Sequence, residues 1–170
     1  MRSPAAKPRL ASREERTRSP LDTAELDAAV GFWLRLAQHQ DLRAFGERFA
    51  GTGVNQLGYA VLLVLDANPG CRPAELAEAV RVRQPNLVEP LEILVARGLV
   101  LREPDPRDRR AQALSLTPEG EGALVELKAA HAGLIEGYRE ALGREDYERL
   151  IGLLRRFTRA RTDNAVKQVT

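Results

Sequence analysis

Three arginines and two aspartates fall within residues 105–110, as Asp105, Arg107, Asp108, Arg109 and Arg110. Guanidinium groups on a narrow loop suit a groove lined by negative potential, and the DNA minor groove is one. A solvated loop whose neighbouring charges pair with each other accounts for the same residues. Earlier in the chain stands a second polar set: Arg81, Arg83, Gln84, Asn86 and Glu89. Gln and Asn can pair bidentately with adenine, and Glu can accept from N4 of cytosine. Arginines flanking them suit phosphates, which position a protein without reading sequence. The bland alternative for this set is the solvated end of a helix.

The elements that must carry these groups follow from periodicity. Residues 99–103 form a short extended run and 104–110 a charged loop. Residues 111–116 alternate small or apolar with polar side chains, the two-residue period of a half-buried strand. Pro104 and Pro106 give no N–H to a ladder, so they are expected to stop both strands and leave a long, stiff tip. Upstream, Pro73 suits a first helical position, and Leu76, Ala77 and Val80 recur at helical spacing. Arg81-Val82-Arg83 reads as a turn. Pro85 again suits a first helical position, and Leu87, Leu91, Leu94 and Val95 make one buried stripe. Gly98 is placed to end that helix in the left-handed conformation. Pro90 cannot bond back to residue 86 and is expected to bend or loosen the first turn. Helix, turn, helix and hairpin, in that order, make a winged helix-turn-helix. Such a motif lays its second helix in the major groove with the N-terminal residues towards the bases.

The run RPAELAEAVRVRQPNLVEPLEILVARGLVLREPDPRDRRAQALSLTPEG holds LVARGLV, then D-x-R-D-x-R as Asp105, Arg107, Asp108 and Arg110, then L-T-x-x-G as Leu116, Thr117 and Gly120. With these motifs the chain resembles, over roughly residues 25–160, the MarR family of bacterial transcription regulators. The resemblance implies a mainly α fold with a small β-hairpin wing, assembled as a MarR-like helical homodimer. It implies binding to a pseudo-palindromic operator in double-stranded DNA and release by a small ligand. It also implies that Arg107 enters the minor groove while Asp105 and Asp108 orient it and its neighbours, with Arg110 paired to Asp105 across the loop. Glu89 departs from many relatives, which carry a basic or small polar residue there. The family layout puts a ligand pocket where the first, second and fifth helices meet the reading lobe. Trp33, Arg35, His39, Tyr59 and Arg72 are then the lining residues. Rings would stack on a planar ligand and arginine would hold a carboxylate, which fits an aromatic acid or its coenzyme A thioester.

Composition sets the outer bounds. The chain has 170 residues, 44% hydrophobic and 29% charged, enough for one core plus tails. Aromatic residues make up only 5%, so Leu, Val and Ala must fill that core. The net charge of +2 and a pI of about 9.0 are mildly basic, so the DNA reading rests on where the arginines lie. A single cysteine, Cys71, excludes an internal disulfide and fits a reducing compartment. Some relatives sense peroxide through a thiol, but on the first helix, so Cys71 is read as inert. The start of the chain holds no apolar leader, and the longest apolar run, 59–65, is too short to span a bilayer. A cytoplasmic location is therefore expected.

Residues 1–20 read as a flexible basic arm and 163–170 as a frayed tail. Between them a single domain, 21–162, is expected, with a winged helix-turn-helix at about 54–116 between dimerisation helices at about 21–50 and 117–162. The first helix would start from an Asp22 or Thr23 cap and carry Leu26, Val30, Trp33, Leu42, Phe45 and Phe49 in one run. The next would start from Asn55 or Thr52. Thr117-Pro118 opens a long helix, with Leu124, Leu127, His131, Leu134 and Tyr138 on one face. After Gly143, Tyr147, Leu150, Leu154 and Phe157 repeat the spacing. Two such seams suit packing between chains, or equally within one. His131 is read as an interface histidine. Neither His39 nor His131 has a spaced ligand cluster, and no phosphate loop or nucleophile motif is visible. No metal, cofactor or enzymatic activity is expected. The rival reading is a winged-helix protein-interaction module without DNA binding, for which Glu89, Pro90 and the near-balanced charge leave room.

Overall fold

The computed structural model describes residues 21–106 and 108–167, without the side chains of Arg109 and of 160–167. The expected basic arm, Arg107 and residues 168–170 lie outside the described residues. The chain divides into two compact units, Met1–Gln40 and Asp41–Thr170.

In the first unit the single long helix expected from residue 22 onward is two elements, α1 (Ala24–Asp27) and α2 (Val30–Arg48). Asp22, one of the two expected caps, accepts from the Ala24 N–H at 3.0 Å, whereas Thr23 makes no side-chain cap bond. The interruption has a local cause. The Trp33 indole donates to the Asp27 carbonyl at 2.8 Å, taking the acceptor that a continuous helix would offer to residue 31.

The second unit begins within α2 and buries its last apolar residues. Phe45 and Phe49 stack with centroids 3.8 Å apart, and Tyr59 tilts against both. The Asn55 side chain caps α3 (Gln56–Ala67) by accepting from the Gly58 N–H at 2.8 Å. Thr52, the other expected cap, accepts from Val54 instead. Val61, Leu62 and Leu65 of α3 are fully buried, so α3 is the post around which the unit packs. Against it lie Leu76 and Ala77 of α4 (Pro73–Ala79), Leu87, Leu91 and Leu94 of α5 (Gln84–Ala96), and Leu124 and Leu127 of α6 (Pro118–Leu142). The Thr117 hydroxyl accepts from Gly120 at 2.9 Å and Pro118 fills the first turn, as the sequence predicts. Gly143, with φ at +79°, separates α6 from α7 (Arg144–Lys167). Helix α7 continues beyond residue 161, where the apolar period stops, and residues 161–167 hold no glycine or proline to end it. No described helix is long and apolar enough to cross a membrane.

The hairpin differs from expectation in extent. Strands β1 (Val100–Asp105) and β2 (Asp108–Leu116) pair antiparallel from Val100↔Leu116 to Asp105↔Asp108. Pro104 therefore sits inside β1, opposite Gln112, and does not end it. In a two-stranded sheet each strand is an edge, and an edge tolerates a residue that offers no N–H to a partner. The cost shows next door. The register shifts between Pro104 and Asp105, leaving Arg109, Arg110 and Ala111 between two pairings. A single bridge, Cys71↔Leu114, adds a third edge to β2, closed by Leu114 N–H to the Cys71 carbonyl at 2.9 Å and Gly70 N–H to the Leu114 carbonyl at 2.8 Å.

Candidate nucleic-acid interface

Helices α4 and α5 are joined by a turn built from two backbone bonds. Arg81 N–H donates to the Glu78 carbonyl at 3.1 Å and Val82 N–H to the Ala77 carbonyl at 3.0 Å. This is the Schellman closure, which needs its first residue past the helix in the left-handed region. Arg81 occupies that position with φ at +57°. The same closure ends α5, where Gly98 has φ at +70° and Leu99 N–H reaches the Leu94 carbonyl at 3.0 Å.

Arg83 is the N-cap residue of α5, with no side-chain cap bond, and Asn86 N–H donates to its carbonyl at 2.9 Å. Gln84 is the first helical residue and Pro85 the second, one place later than the spacing predicts. Gln84, Asn86, Val88 and Glu89 are exposed, while Leu87 and Leu91 between them are buried. The first two turns of α5 thus present amide and carboxylate groups to solvent and anchor themselves through leucine. Arg81 and Arg83 are exposed at the approach to the same end. Helix α5 runs unbroken through Pro90 to Ala96.

The wing is held to this lobe by ion pairs that join distant parts of the chain. Arg102 Nη1 lies 2.8 Å from Glu92 Oε1, tying β1 to α5. Arg72, the N-cap residue of α4, donates from Nε to Asp105 Oδ2 at 2.7 Å. The Asp105 side chain has no solvent exposure and the Arg72 side chain 37%. Sequence reasoning proposed Arg110 as an Asp105 partner and Arg72 as a ligand-lining residue; the structure joins Arg72 to Asp105. Arg72 and Asp105 are 33 positions apart, and no local pattern signals their meeting. Asp108 accepts from the Arg110 N–H at 3.1 Å, so one of the two expected wing-orienting aspartates braces the tip backbone directly. The Arg110 side chain is exposed.

The other residues read as ligand-lining are divided between the two units. Trp33, Arg35 and His39 are exposed on α2 within the first unit, with the Arg35 guanidinium 5.5 Å from the Phe32 ring centroid. Tyr59 is buried in the second unit, its ring 5.0 Å from that of His131. The histidine read as an interface residue is thus also packed within its own chain. Burial holds His131 below the ordinary histidine range, against an opposing pull from Asp41. Asp41 itself accepts from Tyr138 Oη at 2.7 Å and from Gln56 Nε2 at 2.6 Å, a three-residue polar junction of α2, α3 and α6 with no periodic signature. Burial, and after it the Glu75 carboxylate, push the Cys71 thiol up, which keeps it in the unreactive protonated form.

Residues 52–111 match the sequence profile of the MarR family. A Thauera aromatica protein described as a regulatory protein for the hcr operon is 34% identical over 131 residues, 76% of this chain and 79% of that protein. A solved structure of the transcriptional repressor CouR bound to a 23-mer DNA duplex is 33% identical, with a TM-score of 0.79 over 82% of this chain and 99% of that one. CouR bound to p-coumaroyl-CoA gives 31% identity and a TM-score of 0.75 over 82% of this chain and 98% of that one.

Proposed function

Because this chain belongs to the MarR family of transcriptional regulators, we propose that it is a sequence-specific, ligand-released repressor that grips double-stranded DNA as a homodimer. The observation that carries the reading is the solvent-facing N-terminal half of α5, with Gln84, Asn86 and Glu89 exposed over a buried leucine anchor, beside a charged hairpin. In a major groove those three side chains meet base edges, while Arg81 and Arg83 meet phosphates. Arg107, Arg109 and Arg110 belong to the adjacent minor groove, with Arg107 inserted. The DNA-bound state of CouR supports this assignment. Two such units on one palindrome would stand about one helical turn, roughly 34 Å, apart. Pairing of chains is assigned to the helices at about 21–50 and 117–162. It is supported by Leu150, Leu153, Leu154 and Phe157, which α7 leaves exposed along its length.

The effector class is an aromatic acid or its coenzyme A thioester, supported by p-coumaroyl-CoA on CouR. Trp33, Arg35 and His39 supply ring stacking and carboxylate pairing from the exposed side of α2. Tyr59 and Arg72, also read as lining residues, are engaged by packing and by Asp105. Trp33 is the single tryptophan of the chain, so its fluorescence reports a ligand without labelling.

The test is fluorescence anisotropy with the DNA upstream of the chain's own coding region at fixed salt. Wild-type protein is expected to bind it in preference to scrambled DNA, and Arg107→Ala to weaken binding by about tenfold, the scale of one good groove contact. Adding p-coumaroyl-CoA is expected to release the duplex. Equal affinity for the two DNAs would favour the interaction-module reading instead.

A further inference from the structure

We propose that Val88 reads a thymine by its C5-methyl group when α5 lies in the major groove; the inference rests on the DNA-binding reading above. Val88 stands in the second turn of α5 and is 53% exposed, whereas Leu87 before it and Leu91 after it are buried. Valine is a poor choice for a solvated helix position. Its branched Cβ is restricted against the preceding turn, and alanine or a long polar residue forms helix more readily. In the free protein this residue therefore lowers helix propensity and leaves apolar surface in water. The same branching has a use against a rigid partner. The helix fixes χ1 of valine before any contact, so its two methyl groups are presented with little rotamer entropy left to lose.

The surroundings of Val88 indicate the partner. Gln84, Val88 and Glu92 recur every fourth residue, so they share one face of α5. That face borders the hairpin: the three residues line a cleft of about 190 Å³ together with Arg102 of β1 and Gln112 of β2. Glu92, the member of the set that would repel phosphate, is held with Oε1 2.8 Å from Arg102 Nη1. What this face then offers a duplex is an amide at residue 84 and an isopropyl group one turn further on. The cleft is smaller than the roughly 300 Å³ at which small-molecule pockets begin, so its size does not suit an effector. In the major groove the base edges present donors, acceptors and one apolar group, the thymine methyl. An isopropyl group gains nothing against the polar edges of guanine or cytosine, but it removes apolar surface from water against thymine. Val88 is thus a specificity-determining residue, adding an apolar readout that Gln84, Asn86 and Glu89 do not supply.

The test replaces thymine by uracil, which pairs in the same way and lacks only the methyl group. The DNA upstream of the coding region is prepared with each base. Wild-type protein and Val88→Ala are then titrated against both duplexes by fluorescence anisotropy at one salt concentration. Burying one methyl group changes affinity by about fourfold, so two half-sites give about tenfold. Wild type is expected to bind the uracil duplex about tenfold more weakly than the thymine duplex. Val88→Ala is expected to bind the thymine duplex about tenfold more weakly than wild type does, and to bind the two duplexes within about threefold of each other. An equal cost of uracil in the two proteins, or wild-type affinity of Val88→Ala for the thymine duplex, would overturn the proposal. Residue 88 is exposed and alanine is the better helix former, so Val88→Ala is expected to unfold in urea no earlier than wild type. An earlier midpoint would make Val88 a packing residue and equally overturn the proposal. If wild type does not prefer the upstream DNA to scrambled DNA, the DNA-binding reading falls and this inference with it. If that preference holds while uracil costs both proteins alike, only this inference falls.

Discussion

The turn between α4 and α5 puts an arginine where glycine is the least strained choice. Arg81 holds φ at +57°, whereas the matching position after α5 is Gly98 at +70°. A left-handed non-glycine residue costs on the order of 1 kcal/mol, so what arginine supplies there is its side chain. Arg81→Gly relieves the strain but loosens the unfolded chain, and stability is expected to stay within about 1 kcal/mol of wild type by urea denaturation. DNA affinity is expected to fall, with the slope of log affinity against log salt reduced by about one. An unchanged slope would take Arg81 off the phosphates. Gly120 is constrained for a different reason. A Cβ there would lie 2.0 Å from the Leu99 carbonyl oxygen, and that oxygen also accepts from Thr117 N–H at 3.1 Å. The neighbour is backbone and cannot rotate away. Gly120→Ala is expected to destabilise the fold by on the order of 3 kcal/mol, and a Tm within a degree or two of wild type would contradict the close approach. The glycine of L-T-x-x-G is legible as a motif, but only the packing of α6 on Leu99 explains it.

Elements were legible where their signals are local. The Thr117-Pro118 start, the Gly98 stop and the leucine stripe of α5 all lie within a few residues of what they determine. Elements whose bounds depend on non-neighbours were not. Pro104 joined β1 because the sheet leaves that edge free, the Cys71↔Leu114 bridge is one residue long, and α1 separates from α2 through an indole six positions away. Pro90 belongs at this scale as well. It deprives the Asn86 carbonyl of its helical donor, yet α5 extends unbroken to Ala96 because Leu87, Leu91 and Leu94 are held in the core. Pro90→Ala restores that bond and is expected to raise stability by about 1–3 kcal/mol in urea denaturation. A loss of stability would mean that the proline ring is itself a packing element.

Across the second unit, α2, α3 and α6 meet at a mixed cluster of Phe45, Phe49, Tyr59, His131, Asp41 and Tyr138. Burial opposes protonation of His131 there, and the Asp41 charge only partly offsets it. In the unfolded chain the ring titrates near about 6.5, so as pH falls through that value the unfolded state takes up the proton first. Stability contributed by neutral His131 is present above about pH 6.5 and is lost below it. The Tm is expected to fall between about pH 7 and about pH 5.5, and to fall less in His131→Gln; identical pH dependence in the two proteins would exclude the histidine as the source. The charge balance of the molecule, +2 overall, provides little attraction for DNA at a distance. On the DNA-binding reading, recognition would then depend on the particular groups that α5 and the hairpin present. The fold could be anticipated from motifs, while the ion pairs Arg72–Asp105 and Glu92–Arg102, between residues far apart in the chain, could not.

Dimethyl sulfate footprinting of the DNA upstream of the coding region interrogates both grooves at once, since the reagent methylates guanine N7 in the major groove and adenine N3 in the minor. With saturating protein, we expect two guanine-protected segments centred about one helical turn apart on one face, each with a neighbouring adenine-protected position that Arg107→Ala alone uncovers. A duplex methylated alike with and without protein, or a single protected segment, would contradict paired reading by α5 and the hairpin.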